Sequence, residues 1–154
     1  MSLFVTQGIM RIACVCLLLL SATVLSQNVN ERYRKFIEQH INGKMSVNRC
    51  DEEIGLRRIS KTNSNECKET NTFIRATTNI VKSICGLAGA PYERNGQLTR
   101  SLQPFDIVVC TLRNQGARQP RCQYRGQSRT RIIAIKCEQG FPVHFDGDIV
   151  HLDH

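Results

Sequence analysis

Four histidines carry most of the acid–base potential of this chain: His40, His144, His151 and His154. An imidazole has an unperturbed pKa of ~6.5, so near neutrality one ring can accept a proton while another donates one. His40 sits at the end of Phe36-Ile37-Glu38-Gln39-His40, and His144 alternates within Pro142-Val143-His144-Phe145-Asp146. Lys68 follows Cys67 in a polar stretch. Singly, each has an ordinary explanation as a packed helix histidine, a strand histidine or a solvated lysine. Together they supply a base, an acid and a cation for developing negative charge. Other machinery is absent: no P-loop, no H-E-x-x-H, no G-x-S-x-G and no Rossmann glycine pattern occurs. His151 and His154 flank Leu152-Asp153, but three candidate ligands on a terminus make a weak metal site, so no metal or cofactor is expected.

The elements that must position these groups follow from periodicity. Tyr33, Phe36, Ile37, His40 and Ile41 fall at i, i+3, i+4, i+7 and i+8, which predicts a helix over Glu31–Ile41 with His40 on its apolar face. Asn30 is its expected N-cap, and Asn42-Gly43 its stop. A second helix is expected over Asp51–Ile59, with acids early and Arg57-Arg58 late, matching the helix dipole. Asn71–Ala76 reads as a strand. Thr77 or Thr78 then caps a short helix to Cys85, and Gly86–Gly96 reads as a surface loop. Strands follow over Leu98–Leu102, Phe105–Arg113, Arg121–Tyr124, Arg129–Glu138 and Pro142–Asp146, with Gly116 and Gly126 as turns. Helices first and strands afterwards give an α+β domain with an antiparallel sheet.

At 154 residues the chain allows one ordinary domain. With 41% hydrophobic and 22% charged residues it is neither a disordered chain nor a membrane bundle. The net charge of +8 favours polyanionic partners. Residues 1–26 read as a secretory signal peptide: Arg11 precedes an apolar run from Ile12 to Leu25, and Val24 and Ser26 fit a cleavage site before Gln27. The run is short of the ~20 residues a spanning helix needs. Removing it takes away Cys14 and Cys16, leaving six of eight cysteines in an exported chain. That implies up to three disulfides, and six cysteines admit about 15 pairings.

Phe36-Ile37-Glu38-Gln39-His40, Cys67-Lys68-Glu69-Thr70-Asn71-Thr72-Phe73 and Pro142-Val143-His144-Phe145-Asp146 together resemble the three catalytic segments of the pancreatic-type ribonuclease (ribonuclease A) superfamily. The second stretch fits the family's C-K-x-x-N-T-F signature at each defined position, and the resemblance covers residues 30–150. Six cysteines with Cys122-Gln123-Tyr124-Arg125 look like the angiogenin-like branch. The resemblance implies a ribonuclease A-like domain over 27–154, with short N-terminal helices on a bent antiparallel sheet. It implies the pairs Cys50–Cys110, Cys67–Cys122 and Cys85–Cys137, and a looser Gly86–Gly96 loop. It makes His40 the base, His144 the acid and Lys68 the cation in metal-free cleavage of single-stranded RNA 3′ of pyrimidines, through a 2′,3′-cyclic phosphate. Gln39 and Asn71 are implied substrate contacts, Gln39 through a phosphate oxygen. Thr72 is implied to read the pyrimidine edge and Phe145 to stack on the base. Asp146 is implied to orient His144. The branch carries a glutamine after this aspartate that impedes the pyrimidine site; here Gly147 stands there.

Arg57-Arg58 with Lys61 lies where angiogenins carry a basic segment linked to nucleic-acid contact. Arg118, Arg121, Arg125, Arg129 and Arg131 crowd a second region. Heparan sulfate, anionic bacterial surfaces or a cell-surface receptor are therefore possible partners beside RNA. The competing class is a cationic secreted effector that acts by binding, as an antimicrobial or growth-factor-like protein. A monomer is expected.

Overall fold

The structure, a computed structural model, describes residues 15–16, 28–62, 64–93 and 97–150. The segment read as a signal peptide lies outside the described residues except for Val15 and Cys16. Among the described residues no helix is long and apolar enough to cross a membrane.

The first helix, α1, is helical over 28–40. Asn30 is therefore inside it and not its cap. The reason is Val29, which is buried and extends the apolar stripe of Tyr33, Phe36 and His40 one turn back. The second helix, α2 (Cys50–Leu56), ends three residues earlier than its periodicity suggests. Arg58 takes a left-handed φ of 53°. Arg58 N–H then bonds Gly55 O and Ile59 N–H bonds Ile54 O. This is a Schellman closure, with Ile54 and Ile59 buried in one cluster. Helix α3 (Thr78–Lys82) is capped by Thr77, whose hydroxyl accepts from Ile80 N–H, and continues as a 3-10 turn, Ser83–Cys85.

The described residues form six antiparallel strands, the first of them between α2 and α3: β1 (Thr70–Ile74), β2 (Gly89–Tyr92), β3 (Leu98–Ser101), β4 (Phe105–Leu112), β5 (Tyr124–Glu138) and β6 (Phe141–Ile149). Their order is β1-β4-β5-β3-β2, with β6 also on β5. The long β5 is the hinge of the architecture: its first half pairs with β4 and its second half with β3 and β6. Two core clusters fill the two faces. Phe73, Val108 and Cys110 join Met45, Ile54 and Ile59. Their neighbours Ile74, Ile107 and Val109 join Phe36, Val81 and Ile133. Alternation along β1 and β4 thus sends successive side chains to opposite cores. With both faces covered, β1 is buried from Asn71 to Ile74.

Two expectations fail on glycine. Gly126 is not a turn; it lies inside β5 opposite Cys110, so Arg121–Tyr124 is no separate strand. The turn Val47–Arg49 crosses there, and a Cβ on Gly126 would lie 2.1 Å from Val47 O. Gly86–Gly96 is not wholly loop, because Gly89–Tyr92 pairs with β3. Gly89 has room only for hydrogen, with Ile84 O 1.9 Å from an added Cβ. A methyl cannot be accommodated against backbone, so Gly126→Ala is expected to cost about 1–3 kcal/mol, read as a lower urea midpoint at unchanged slope.

Disulfides join Cys50 to Cys110, Cys67 to Cys122 and Cys85 to Cys137, the pairs implied by the resemblance. They tie α2 to β4, the approach to β1 to the approach to β5, and the α3 turn to β5. Each loop spans more than 50 residues, and such bridges typically contribute ~2–4 kcal/mol.

Candidate active site

His40 ends α1 with its ring buried between two aromatics. Its centroid lies 5.4 Å from that of Phe36 and 5.1 Å from that of Phe145, nearly stacked on the latter at 28°. His40 Nδ1 is 2.8 Å from Thr72 O. A carbonyl only accepts, so Nδ1 carries the proton and Nε2 keeps a lone pair. Nε2 has no hydrogen-bond partner among the described residues. Burial, with smaller contributions from the charges of Lys68 and His144, lowers the His40 pKa to about 3; the Thr72 carbonyl pulls the other way without prevailing. The ring is thus neutral, in one tautomer, with its free nitrogen unprotonated across the physiological range.

Lys68 precedes β1 and is held from both ends. Its Nζ donates to Asn71 Oδ1 at 2.9 Å, and Asn71 Nδ2 donates to Gln39 O of α1 at 2.9 Å. Its carbonyl accepts from the Tyr124 hydroxyl at 2.7 Å. Burial and then the Asp51 charge push the Tyr124 pKa up, which keeps that donor protonated. Burial and then the Lys35 charge lower the pKa of Lys68. Asn71 is almost wholly buried and serves as a strut between α1 and Lys68.

His144 reaches the site from β6, opposite Lys136 of β5, and is exposed. One cavity of about 410 Å³ is lined by Gln39, His40, His144 and Phe145, with Lys35 and Lys136 at its margin. The structure therefore brings together the residues expected from α1 and β6. The charges of Lys68 and His144 both bear on His40. Asp146 does not join them. It is the extra residue of a bulge between the pairs Ala134↔Gly147 and Ile135↔Phe145, exposed and without a polar partner among the described residues. Its expected bond to His144 is not present. Asp148, which follows Gly147, is drawn instead to Arg129 and Arg131 at 3.4 and 3.7 Å. His151 and His154 lie outside the described residues.

Three features escaped the sequence. Arg32 and Lys35 join the expected Gln39 in a helical row beside His40, a signal that the i, i+3, i+7 spacing did contain. Lys136 reaches the rim through strand register, which no local pattern encodes. Arg57, placed by the resemblance in a basic segment linked to nucleic-acid contact, turns inward onto the end of α1.

Residues 31–146 match the pancreatic ribonuclease family. The chain belongs to that family. This ribonuclease is 36% identical over 149 residues to ribonuclease-like 3 of Danio rerio, covering 94% of this chain and 99% of that one. It is 39% identical to angiogenin-4 of Mus musculus over 124 residues, 79% of this chain and 81% of that protein. Among solved structures, zebrafish RNase5 superposes with a TM-score of 0.74 at 45% identity, covering 78% of this chain and 96% of the other. The enzyme is a pancreatic-type ribonuclease with three disulfides, and RNA is its substrate class.

Proposed function

We propose that this ribonuclease is secreted and cleaves single-stranded RNA 3′ of pyrimidines by metal-free transphosphorylation. The observation that carries the mechanism is the His40 tautomer fixed by Thr72 O in the same cavity as His144. His40 Nε2 removes the proton of the ribose 2′-OH. The 2′-oxygen attacks phosphorus, and the bond from phosphorus to the 5′-oxygen breaks. Protonated His144 gives its proton to that departing oxygen, leaving a 2′,3′-cyclic phosphate and a free 5′-hydroxyl. The Lys68 ammonium offsets the added negative charge on the phosphoryl oxygens in the transition state. Thr72 contributes a hydroxyl and a backbone amide to the pyrimidine edge, and Phe145, already packed on His40, offers its other surface to the base. Gln39 lines the cavity where a phosphate oxygen would rest. Secretion is supported by the three disulfides and by the apolar leader.

The test is hydrolysis of cytidylyl-3′,5′-adenosine across pH, with the product followed by phosphorus NMR. The cyclic phosphate is expected, and added chelator leaves the rate unchanged. The pH profile has a signed prediction. The base works only when neutral, and its pKa is lowered from 6.5 to about 3. The acid limb of kcat/KM should therefore lie well below ~6.5, the unperturbed imidazole value. The limb of kcat should lie above that of kcat/KM, because a bound phosphate favours the imidazolium form. A kcat/KM limb at or above ~6.5 would rule out the buried neutral base.

A further inference from the structure

We propose that Arg57 is the positioning residue for the His40 base, acting through the last turn of α1; this rests on His40 being that base. The last turn of a helix leaves carbonyl oxygens without intrahelical partners, and His40 projects from that turn. Arg57 Nη1 lies 2.7 Å from Glu38 O, 2.9 Å from Ile41 O and 3.5 Å from Ile37 O. Asn71 takes the intervening Gln39 O. The carbonyls on both sides of His40 are thus held by one guanidinium, and a cation at a helix C-terminus is also favoured by the dipole.

Arg57 is itself immobilised. Its Nε donates to Glu53 Oε2 at 3.0 Å, and the other oxygen of that buried carboxylate accepts from Arg49 at 2.6 Å. Its guanidinium carbon lies 5.4 Å from the centroid of Phe73, the residue after Thr72. Arg57 therefore references the end of α1 to α2 and to β1, the strand whose Thr72 carbonyl fixes the His40 tautomer. A flexible lysine offers one point charge in place of this fork and cannot reach Glu53 and the carbonyls together. A shift of ~1 Å in a reacting group can cost about 100-fold in rate.

The experiment measures cytidylyl-3′,5′-adenosine and long RNA turnover by Arg57→Ala and Arg57→Lys proteins, at a temperature where circular dichroism shows each folded. Positioning predicts a kcat on the dinucleotide lower by about 10–100-fold, with KM changed little and partial recovery in Arg57→Lys. The slope of log(kcat/KM) against log salt on long RNA stays as in the parent protein. In nitrogen NMR the His40 ring shows loss of the single Nδ1–H tautomer. An unchanged dinucleotide kcat with a raised long-RNA KM and a shallower salt slope would make Arg57 a phosphate contact and overturn the proposal. So would a lowered melting temperature with kcat and the tautomer signal intact. If Arg57→Ala does not fold, the same quantities in Arg57→Lys decide. His40→Ala separates the two levels: its full activity removes the base assignment, whereas its inactivity beside an unimpaired Arg57→Ala removes only the role of Arg57.

Discussion

Replacing His40 by Ala is expected to lower kcat on a dinucleotide by about 10²–10⁴-fold while the protein stays folded. The cost is large because nothing nearby replaces the lost base. The ring is the only group that combines a free nitrogen with a fixed tautomer in the cavity among the described residues, and its pKa is held at about 3. His144→Ala should cost a comparable factor, since the 5′-alkoxide is a poor leaving group without a proton. The two variants part on a substrate whose leaving group is an acidic phenol. That departure needs no proton, so His144→Ala regains most of its loss and His40→Ala regains none. Equal rescue of both, or of His40→Ala alone, would reverse or void the assignment. Folding adds a check on the singles. His40 is buried and uncharged, so its removal leaves a cavity between Phe36 and Phe145 without stranding a charge. Any loss of turnover larger than the loss of folded protein is therefore chemical.

Periodicity placed the elements that carry His40 and His144, while their proposed roles as base and acid come from the resemblance of their segments to the family's catalytic motifs. The stripe Tyr33, Phe36, Ile37, His40 places His40 against the core, and the alternation around His144 places it across from that core on β6. The burial of His40 follows from its stripe alone, whereas His144 stays exposed on its strand. What stayed hidden depends on contacts between distant segments. Gly126 looks like a turn until Val47 crosses above β5. Gly89 looks like loop until Ile84 O lies against it. Asp146 has strand spacing from His144, yet pairing with β5 places it in a bulge, and no hydrogen bond joins the two. Arg57 reads locally as a late basic residue matching the dipole of its own helix, yet α1 terminates within its reach. In each case local sequence fixes an element, and the partner strand or helix decides what its side chains do.

Lys68→Gln is expected to lower kcat by about 10²–10³-fold with a small change in KM, the behaviour of a group that acts on charge appearing only in the transition state. The ammonium is not simply another basic residue near the phosphate. Its place is set by Asn71, which is anchored to Gln39 O of α1, and by Tyr124, which grips its carbonyl from β5. Cys67, the residue before it, is bridged to Cys122. The ammonium is therefore held still before substrate arrives, and no reorganisation is needed as charge accumulates. Lys35 offers the contrast. It is exposed at the cavity margin, where a bound phosphate chain would meet it equally in ground and transition states. Lys35→Ala should thus raise KM, more so at low salt, with kcat nearly kept. Lys68→Arg keeps the charge but spreads it over a larger fork that cannot occupy the position braced by Asn71, so it should recover only part of the lost rate. A Lys68→Gln protein that loses affinity in place of turnover would move Lys68 from the transition state to ordinary phosphate binding, and would leave the charge on the five-coordinate phosphorus to be offset by other groups of this cavity.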